Sequence, residues 1–252
     1  MNKQTLHLWL AFPNDVLAEG IAPACDLLLS ADERVRWQAF RFERLRREYL
    51  TTRALARTAL SHYHPISPEA WRFTLNAYGK PTASAADCDL QFNLSNSPGL
   101  VVCLIGHGAE LGVDVEPCER VKEIAEVAHR VFSALELEQL EALSGKDKLD
   151  RGLSLWTLKE SYIKARGMGL SLPLDKFSFV FGGAEGIRLE LDPSLNDEAG
   201  RWRFCLLEHA GHRIAIMAER TAGPDLEMLE TRPLLAPPAR LAVSAPRWFP
   251  EG

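Results

Sequence analysis

The sequence has no long apolar run: its longest uninterrupted apolar stretch, residues 100–105, is far shorter than the about 18 residues of a membrane helix. In the first twelve residues a polar side chain interrupts the apolar stretch, unlike in a signal peptide. Cysteine is also scarce, with five scattered residues and no Cys-x-x-Cys pair, which argues against a disulfide framework or a zinc site. We therefore expect a cytoplasmic protein that does not bind membranes.

Positive charge is in deficit overall, since the net charge is -5, and this argues against nonspecific nucleic-acid binding. One segment is the exception. Residues 34–57 contain eight arginines and two glutamates. A basic patch on an acidic protein predicts a phosphate-bearing ligand or an acidic partner, with a solvated helix face as the alternative.

Two capping boxes divide the chain into similar halves. Ser30 with Glu33 and Ser133 with Glu136 each predict a helix start, and further helices and strands follow both in the same order. The pattern predicts an α+β fold of two similar α/β subdomains, an N-terminal lobe at 1–109 and a C-terminal lobe at 110–220. The C-terminal lobe contains the carboxylates described below, so it is expected to carry the metal site. Six prolines after residue 221 predict an irregular tail over 221–252. Helices are predicted at 30–40, 46–62, 133–143 and 147–166, and strands at 6–12, 71–76, 90–94, 100–105, 111–115, 177–181, 187–191, 202–207 and 213–218.

Two carboxylates share one face of a predicted strand. Residues 112–116 read Gly-Val-Asp-Val-Glu, and alternation places Asp114 and Glu116 on the same side, about 7 Å apart between Cα atoms. Converging carboxylates suit a hard cation such as Mg²⁺. A solvated strand face is the alternative for this short pattern alone.

A third carboxylate lies on an apolar helix face. Helical spacing puts Glu160 in one stripe with Trp156 and Ile163, where a charge needs a partner or a metal. Lys164 follows one turn later, so a surface ion pair with Glu160 is the alternative. Together with Lys80, Lys159, Lys164 and the arginines of 34–57, the three acids predict a Mg²⁺-dependent enzyme that acts on a polyphosphorylated small molecule.

In their order and spacing, these motifs resemble the 4′-phosphopantetheinyl transferases, specifically the two-lobed type that activates surfactin synthetase. The resemblance spans about residues 30–179. It is carried by Tyr78-Gly-Lys-Pro81, Phe92-Asn-Leu-Ser95, Gly112-Val-Asp-Val-Glu116, Phe132-Ser133, Trp156-x-x-Lys-Glu-Ser-Tyr-Ile-Lys164, Gly167-Met-Gly169-Leu170 and Ser171-Leu-Pro-Leu-Asp175.

The resemblance implies transfer of the 4′-phosphopantetheine group of coenzyme A to a serine of an apo acyl or peptidyl carrier protein, with release of adenosine 3′,5′-bisphosphate. It implies two lobes related by a pseudo-twofold axis, each a small, mainly antiparallel sheet packed by helices, with coenzyme A in the cleft between them. The expected metal is Mg²⁺, which Mn²⁺ can replace. The expected partners are acidic carriers of fatty-acid, polyketide or peptide synthesis, with no nucleic acid and no membrane, and the enzyme is expected to be a monomer.

By position, Asp114, Glu116 and Glu160 resemble the Mg²⁺ ligands. Glu160 also resembles the base for the attacking serine, and Lys164 the residue that stabilises the pyrophosphate or protonates the leaving phosphate. The residues that resemble coenzyme A contacts are Arg36, Arg47, Lys80, Pro81, Ser95, Asn96, Asp114, Lys159 and Lys164.

The chain departs from the family at Asn96, where the family commonly has histidine in a Ser-His-Ser segment. Asparagine donates hydrogen bonds but carries no charge, so the 3′-phosphate is held either more weakly or by the arginines.

Two other function classes stay open. They are a Mg²⁺-dependent nuclease and a non-enzymatic module that binds carrier proteins without a metal. A two-carboxylate glycosidase is disfavoured because Asp114 and Glu116 share one strand face.

Overall fold

The computed structural model describes residues 5–18, 22–85, 88–182, 186–234, 237–242 and 246–250. The chain divides into two compact units. The first comprises Met1–Asn76, Pro81–Ala109 and Ala222–Ala245, and the second Ala77–Lys80, Glu110–Thr221 and Pro246–Gly252. Both combine helices with small sheets, which confirms the predicted α+β class. Within the described ranges, no helix combines the length and the apolar character needed to cross a membrane.

The first unit is built on a five-stranded sheet in the order β12-β11-β1-β5-β4 and a separate β2-β3 pair. The first strand is buried along its whole length, as expected for a strand between two neighbours. A long helix, α4, packs on this sheet. Numbered along the chain, the elements are β1 (Thr5–Ala11), α1 (Pro13–Ala18), α2 (Ala22–Leu27), α3 (Ala31–Ala39), α4 (Glu43–Tyr63), β2 (Phe73–Leu75), β3 (Pro81–Ala83), β4 (Leu90–Ser97), β5 (Leu100–His107), β11 (Asp225–Glu230) and β12 (Ala239–Arg240).

The prediction of an irregular tail is wrong for β11. This strand pairs in parallel with β1, from Thr5 opposite Asp225 to Leu10 opposite Glu230. The physical reason is the segment's own pattern. Met228 and Leu229 are buried within the first unit. The stabilisation from their burial and from the hydrogen bonds to β1 outweighs the tendency of the prolines on either side to prevent strand formation.

The second unit has a three-stranded sheet, β6-β10-β9, and a β7-β8 pair, with the long helix α7 packed on β6 and β10. Helix α7 ends where predicted, because Gly167 follows in a left-handed conformation at φ 62°. The elements are β6 (Leu111–Pro117), α5 (Val121–Val131), α6 (Ala134–Glu141), α7 (Gly145–Arg166), β7 (Phe177–Phe181), β8 (Ile187–Leu191), β9 (Trp202–His209) and β10 (His212–Glu219).

Both units follow the same course along the chain. A strand leads to a short capped helix, a long helix, a two-stranded sheet and a hairpin. In each unit the first strand pairs antiparallel with the second strand of the hairpin, so the order β1-β5-β4 matches β6-β10-β9. Both predicted capping boxes are formed, at Ser30 and at Ser133. The predicted similarity of the two subdomains is therefore confirmed in the order and pairing of their elements.

Helix α5 was absent from the sequence prediction. Its apolar residues recur at helical spacing, from Val121 through Ile124 and Ala128 to Val131, and this signal was available in the sequence. Its start is not marked by a capping box, because the N-cap residue Arg120 makes no side-chain cap hydrogen bond.

Candidate active site

The candidate site forms where helix α7 lies on strand β6. A Cβ atom at Gly112 would be 1.9 Å from the carbonyl oxygen of Ser161 and 2.6 Å from the nitrogen of Ala165. Glycine alone therefore allows this close approach of strand and helix. Lys80 joins the same two elements, because its Nζ donates hydrogen bonds to the carbonyls of Leu111 at 3.1 Å and Ala165 at 2.8 Å.

The two strand carboxylates both face α7, as alternation predicts. Lys164 Nζ donates to Asp114 Oδ1 at 2.7 Å, and Trp156 Nε1 donates to Glu116 Oε1 at 2.8 Å. Both acids are buried. Lys164 thus forms its ion pair across to the strand, which disfavours the alternative of a simple surface pair with Glu160.

Glu160 lies on α7 close enough to both strand acids to be repelled by them. Burial, followed by the charges of Asp114 and Glu116, raises the pKa of Glu160 to about 7 against the opposing effect of Lys164. The pKa of Glu116 is also raised, first by burial and then by Asp114, although Trp156 and Arg120 oppose this. Two carboxylates with raised pKa values, packed beside a third acid, are typical of a functional site.

The donor chemistry of this cluster fits a hard cation, because all three side chains offer carboxylate oxygens. As they stand, no three His, Cys, Asp or Glu side chains within the described ranges are grouped tightly enough to hold a metal ion. Arg120 Nη1 donates to Glu116 Oε2 at 2.6 Å, and Lys164 binds Asp114. A cation at the cluster therefore competes with these two basic groups for the same carboxylates.

The structure places Lys159 in the core of the second unit, which disfavours its predicted role in phosphate binding. Its side chain is completely buried, with Nζ bound to Glu136 Oε2 at 2.8 Å and to the carbonyl of Phe177 at 2.7 Å. Helix geometry explains this placement of Lys159. Consecutive residues differ by about 100° around the axis, so Lys159 faces the core while Glu160 faces the strand.

Arg36 lines a cavity of about 340 Å³ in the first unit. Three further arginines line this cavity, and two of them stack on aromatic rings, with Arg53 5.0 Å from the Tyr49 ring centroid and Arg57 4.8 Å from that of Phe73. Arg36 lies 6.0 Å from Tyr49. The fourth arginine is Arg72. This arginine cavity, partly neutralised by Asp32 and Glu33, is suited to an anionic ligand with a flat ring.

The other predicted coenzyme A contacts are spread over the first unit. Arg47 does not line the arginine cavity, and its Nη1 donates to Asn14 Oδ1 at 3.4 Å. Ser95 and Asn96 are neighbours on β4, where Ser95 is buried and Asn96 exposed. Pro81 opens β3 and is half-buried.

Sequence reasoning missed several residues at these places. Arg120 holds Glu116, and a signal existed because the two are four residues apart. Arg72 and Tyr49 line the arginine cavity. They come from a loop and from α4, and no local spacing connects them with Arg36.

Comparison with known proteins places these features in context. A family model described as the 4′-phosphopantetheinyl transferase superfamily matches residues 110–217, which include all of β6 and α7. The 4′-phosphopantetheinyl transferase HetI of Nostoc sp. is 30% identical over 75% of this chain and 79% of its own length. The 4′-phosphopantetheinyl transferase Sfp of Bacillus subtilis is 33% identical over 67% of this chain and 79% of its own length. Another Bacillus subtilis 4′-phosphopantetheinyl transferase is 34% identical over 65% of this chain and 71% of its own length.

Proposed function

Because the chain belongs to the 4′-phosphopantetheinyl transferase superfamily and is an enzyme of that kind, we propose that it moves 4′-phosphopantetheine from coenzyme A to a serine of an apo carrier protein. The observation that carries the proposal is the cluster of Asp114, Glu116 and Glu160 with Lys164 beside it. Transfer at a pyrophosphate uses a general base, a positively charged group that stabilises the leaving phosphate and a binding site for a metal ion.

In the proposed reaction the serine Oγ attacks the phosphorus that carries the pantetheine arm. A Ser O–P bond forms, the P–O bond to the 5′-phosphate breaks, and adenosine 3′,5′-bisphosphate leaves. Glu160 takes the serine proton, for which a pKa of about 7 is well matched at neutral pH. Lys164 stabilises the charge on the leaving phosphate or donates a proton to it.

Asp114, Glu116 and Glu160 would hold Mg²⁺, or Mn²⁺ in its place, in this proposal. When bound, the metal supplies neutralising charge for the pyrophosphate. The support in the structure is the crowding of three carboxylates whose mutual repulsion a cation relieves. Lys164 and Arg120, which pair with these acids, then become available to phosphate oxygens.

We assign the phosphate end of coenzyme A to the first unit. Arg36 in the arginine cavity supports this assignment, since guanidinium groups bind phosphate in paired geometry and aromatic rings stack on a purine. Lys80, Pro81, Ser95, Asn96 and Arg47 remain proposed contacts. Lys80 already uses its ammonium to hold two carbonyls, and burial lowers its pKa to about 8.

We propose that the carrier partner is acidic and meets the basic segment 34–57. Part of this charge is used within the unit, since Arg34 pairs with Asp26, Arg44 with Glu48, and Arg57 with Glu33. The exposed remainder outside the arginine cavity includes Arg41. Since exposed charges are screened over about 8–10 Å, KM for an acidic carrier should rise with salt more than kcat falls. A KM independent of salt would contradict this partner assignment.

A cytoplasmic monomer completes the proposal. All five cysteines are free thiols, which fits a reducing compartment. Light scattering on the purified enzyme tests the oligomeric state, because a monomer has the mass of one 28.1 kDa chain.

The decisive experiment is mass spectrometry of apo carriers from fatty-acid, polyketide and peptide synthesis, incubated with coenzyme A, with and without Mg²⁺. Transfer predicts a gain of one phosphopantetheine that requires the metal. A module that only binds carriers gives no mass change, and a nuclease acts on DNA instead. Glu160→Gln is the matched control, since it preserves side-chain size while removing the proposed base.

A further inference from the structure

Glu136 is a fully buried carboxylate that ties three elements of the second unit together. One oxygen accepts hydrogen bonds from Lys159 Nζ of α7 at 2.8 Å and from the Ser133 nitrogen at the start of α6 at 2.9 Å. The other accepts from the nitrogen of Phe179 in β7 at 2.9 Å. Lys159 Nζ also lies 4.1 Å from the ring centroid of Phe177. The long helix is thus fixed at one point to both neighbouring elements.

The first unit contains the same arrangement with arginine in place of lysine. Glu33, the capping-box acid of α3, accepts from the Ser30 nitrogen at 3.0 Å and from Arg57 Nη2 at 2.6 Å. Arg57 is 1% exposed and stacks on Phe73. Phe73 begins β2 just as Phe177 begins β7. Each unit therefore joins a capping-box acid, a buried cation of the long helix and the first aromatic residue of the next strand.

Because the ion pair recurs in both units, we interpret it as part of the fold of each unit. A buried ion pair is a poor source of stability, because desolvation offsets most of the attraction. It does constrain the orientation of the helix, since Lys159 Nζ is held between Glu136 Oε2 and the Phe177 carbonyl. In the second unit the anchored residue immediately precedes Glu160 and lies five residues before Lys164, so rotation of α7 about its axis moves both groups relative to β6.

We propose that Lys159 and Glu136 are positioning residues that set the rotation of α7, so that Glu160 and Lys164 face Asp114 and Glu116. The inference rests on the proposed function only for the catalytic roles of Glu160 and Lys164. Lys159 itself is completely buried and acts through the placement of Glu160 and Lys164.

The test compares Lys159→Met, which removes the ion pair, with Lys159→Arg, which recreates the pairing seen in the first unit. Misplacement of a reacting group by about 1 Å costs on the order of a hundredfold in rate, so Lys159→Met should lower kcat at least about tenfold. KM for coenzyme A should change less than about threefold, because no phosphate contact is lost. Lys159→Arg should restore most of kcat.

Two controls separate positioning from general destabilisation. Ile187→Ala opens a cavity in β8 of the same unit and should lower the melting temperature while keeping kcat at temperatures below unfolding. Lys176→Met removes an exposed ion pair with Asp192 and should change neither quantity. If Lys159→Met fails to fold, Glu136→Gln serves instead, since its single amide oxygen still accepts from one of the two backbone nitrogens while the negative charge that pairs with the ammonium is lost.

A second measurement needs no carrier protein. Binding of Mn²⁺ alone, followed by electron paramagnetic resonance, should weaken in Lys159→Met and recover in Lys159→Arg. If wild type transfers nothing to any carrier, the proposed function fails, while loss of Mn²⁺ affinity in the variant still supports positioning. Wild-type kcat and Mn²⁺ affinity in folded Lys159→Met would overturn the inference. A raised KM for coenzyme A with unchanged kcat would also overturn it, because that result identifies a phosphate contact.

Discussion

At Glu160, burial and the charges of two neighbouring acids raise the pKa together. Its carboxyl is held near two other acids and one ammonium, and its pKa is raised to about 7. A group with this pKa changes charge within the physiological range. In the free enzyme, kcat/KM should therefore fall as the pH drops through about 7, because protonation removes the base.

Glu160→Gln should lower kcat at least about a hundredfold, since loss of a general base alone is worth ~10²–10⁴ in rate. Affinity for coenzyme A, measured by calorimetry, should change much less because the arginine cavity is intact. Asp114→Asn is the matched variant. It loses a proposed metal ligand but no base, so high Mg²⁺ or Mn²⁺ should partly restore its activity. Near-wild-type kcat in folded Glu160→Gln would leave Glu160 without a catalytic role.

Asn96→His tests how the 3′-phosphate is held. Asn96 is exposed on β4, so an imidazole can be accommodated there. The variant should bind coenzyme A modestly more tightly below about pH 6.5, where the imidazole becomes charged. Affinity for 3′-dephospho-coenzyme A is the control and should not change. An equal gain for both ligands would show that position 96 does not face the 3′-phosphate.

The contact between β6 and α7 decides whether the site exists at all. Gly112, Lys80 and the Asp114–Lys164 ion pair hold one strand and one helix together over a short distance. The sequence alone predicted the strand, the helix and the faces on which their acids lie, because alternation and helical periodicity are local properties. It could not predict that Lys159 turns into the core, since its partner Glu136 is 23 residues away in another helix.

Gly112→Ala should damage the site through backbone displacement. The new Cβ would overlap the Ser161 carbonyl at 1.9 Å, so α7 must shift away from β6 at a cost of about 1–3 kcal/mol. Denaturant unfolding should show this loss, and kcat should fall more than coenzyme A affinity. Gly152→Ala is the control on the same helix. Nothing lies within 4 Å of its Cβ position, so it should gain about 0.5–1 kcal/mol from helix propensity. Equal stability of the two variants would contradict the packing argument.

At the level of the whole molecule, two units repeat one order of elements, but only one carries the acids. The duplication could be predicted from the sequence because each capping box is a short local motif and the same motif is found in both units. The strand pairing of β11 with β1 was not predictable in the same way, since about 220 residues separate the partners and a parallel ladder leaves no local signature. That pairing puts the C-terminal segment into the sheet of the first unit, where it covers one edge of β1.

His7 links this sheet to α4 and provides a pH-dependent element of stability. Trp9 Nε1 donates to Tyr63 Oη at 2.8 Å, and Tyr63 Oη lies 2.7 Å from His7 Nδ1. With His7 neutral and its proton on Nε2, the Tyr63 hydroxyl donates to Nδ1. Burial lowers the pKa of His7 to about 4, against the opposing charge of Glu227 on β11.

Acidification should therefore destabilise the protein through His7. Between pH 6.5 and about 4 the unfolded chain binds a proton at this position and the folded chain does not, so the free energy of unfolding falls as the pH falls through this window. After allowance for solvent screening, the loss should be about 1–2 kcal/mol. His7→Gln keeps an acceptor for Tyr63 but does not titrate, so urea unfolding from pH 7 to 4 should show a shallower decline. His129→Gln, which replaces an exposed histidine, is the control and should keep the wild-type slope. An unchanged slope in His7→Gln would mean that His7 is protonated in the fold and that Tyr63 does not donate to it.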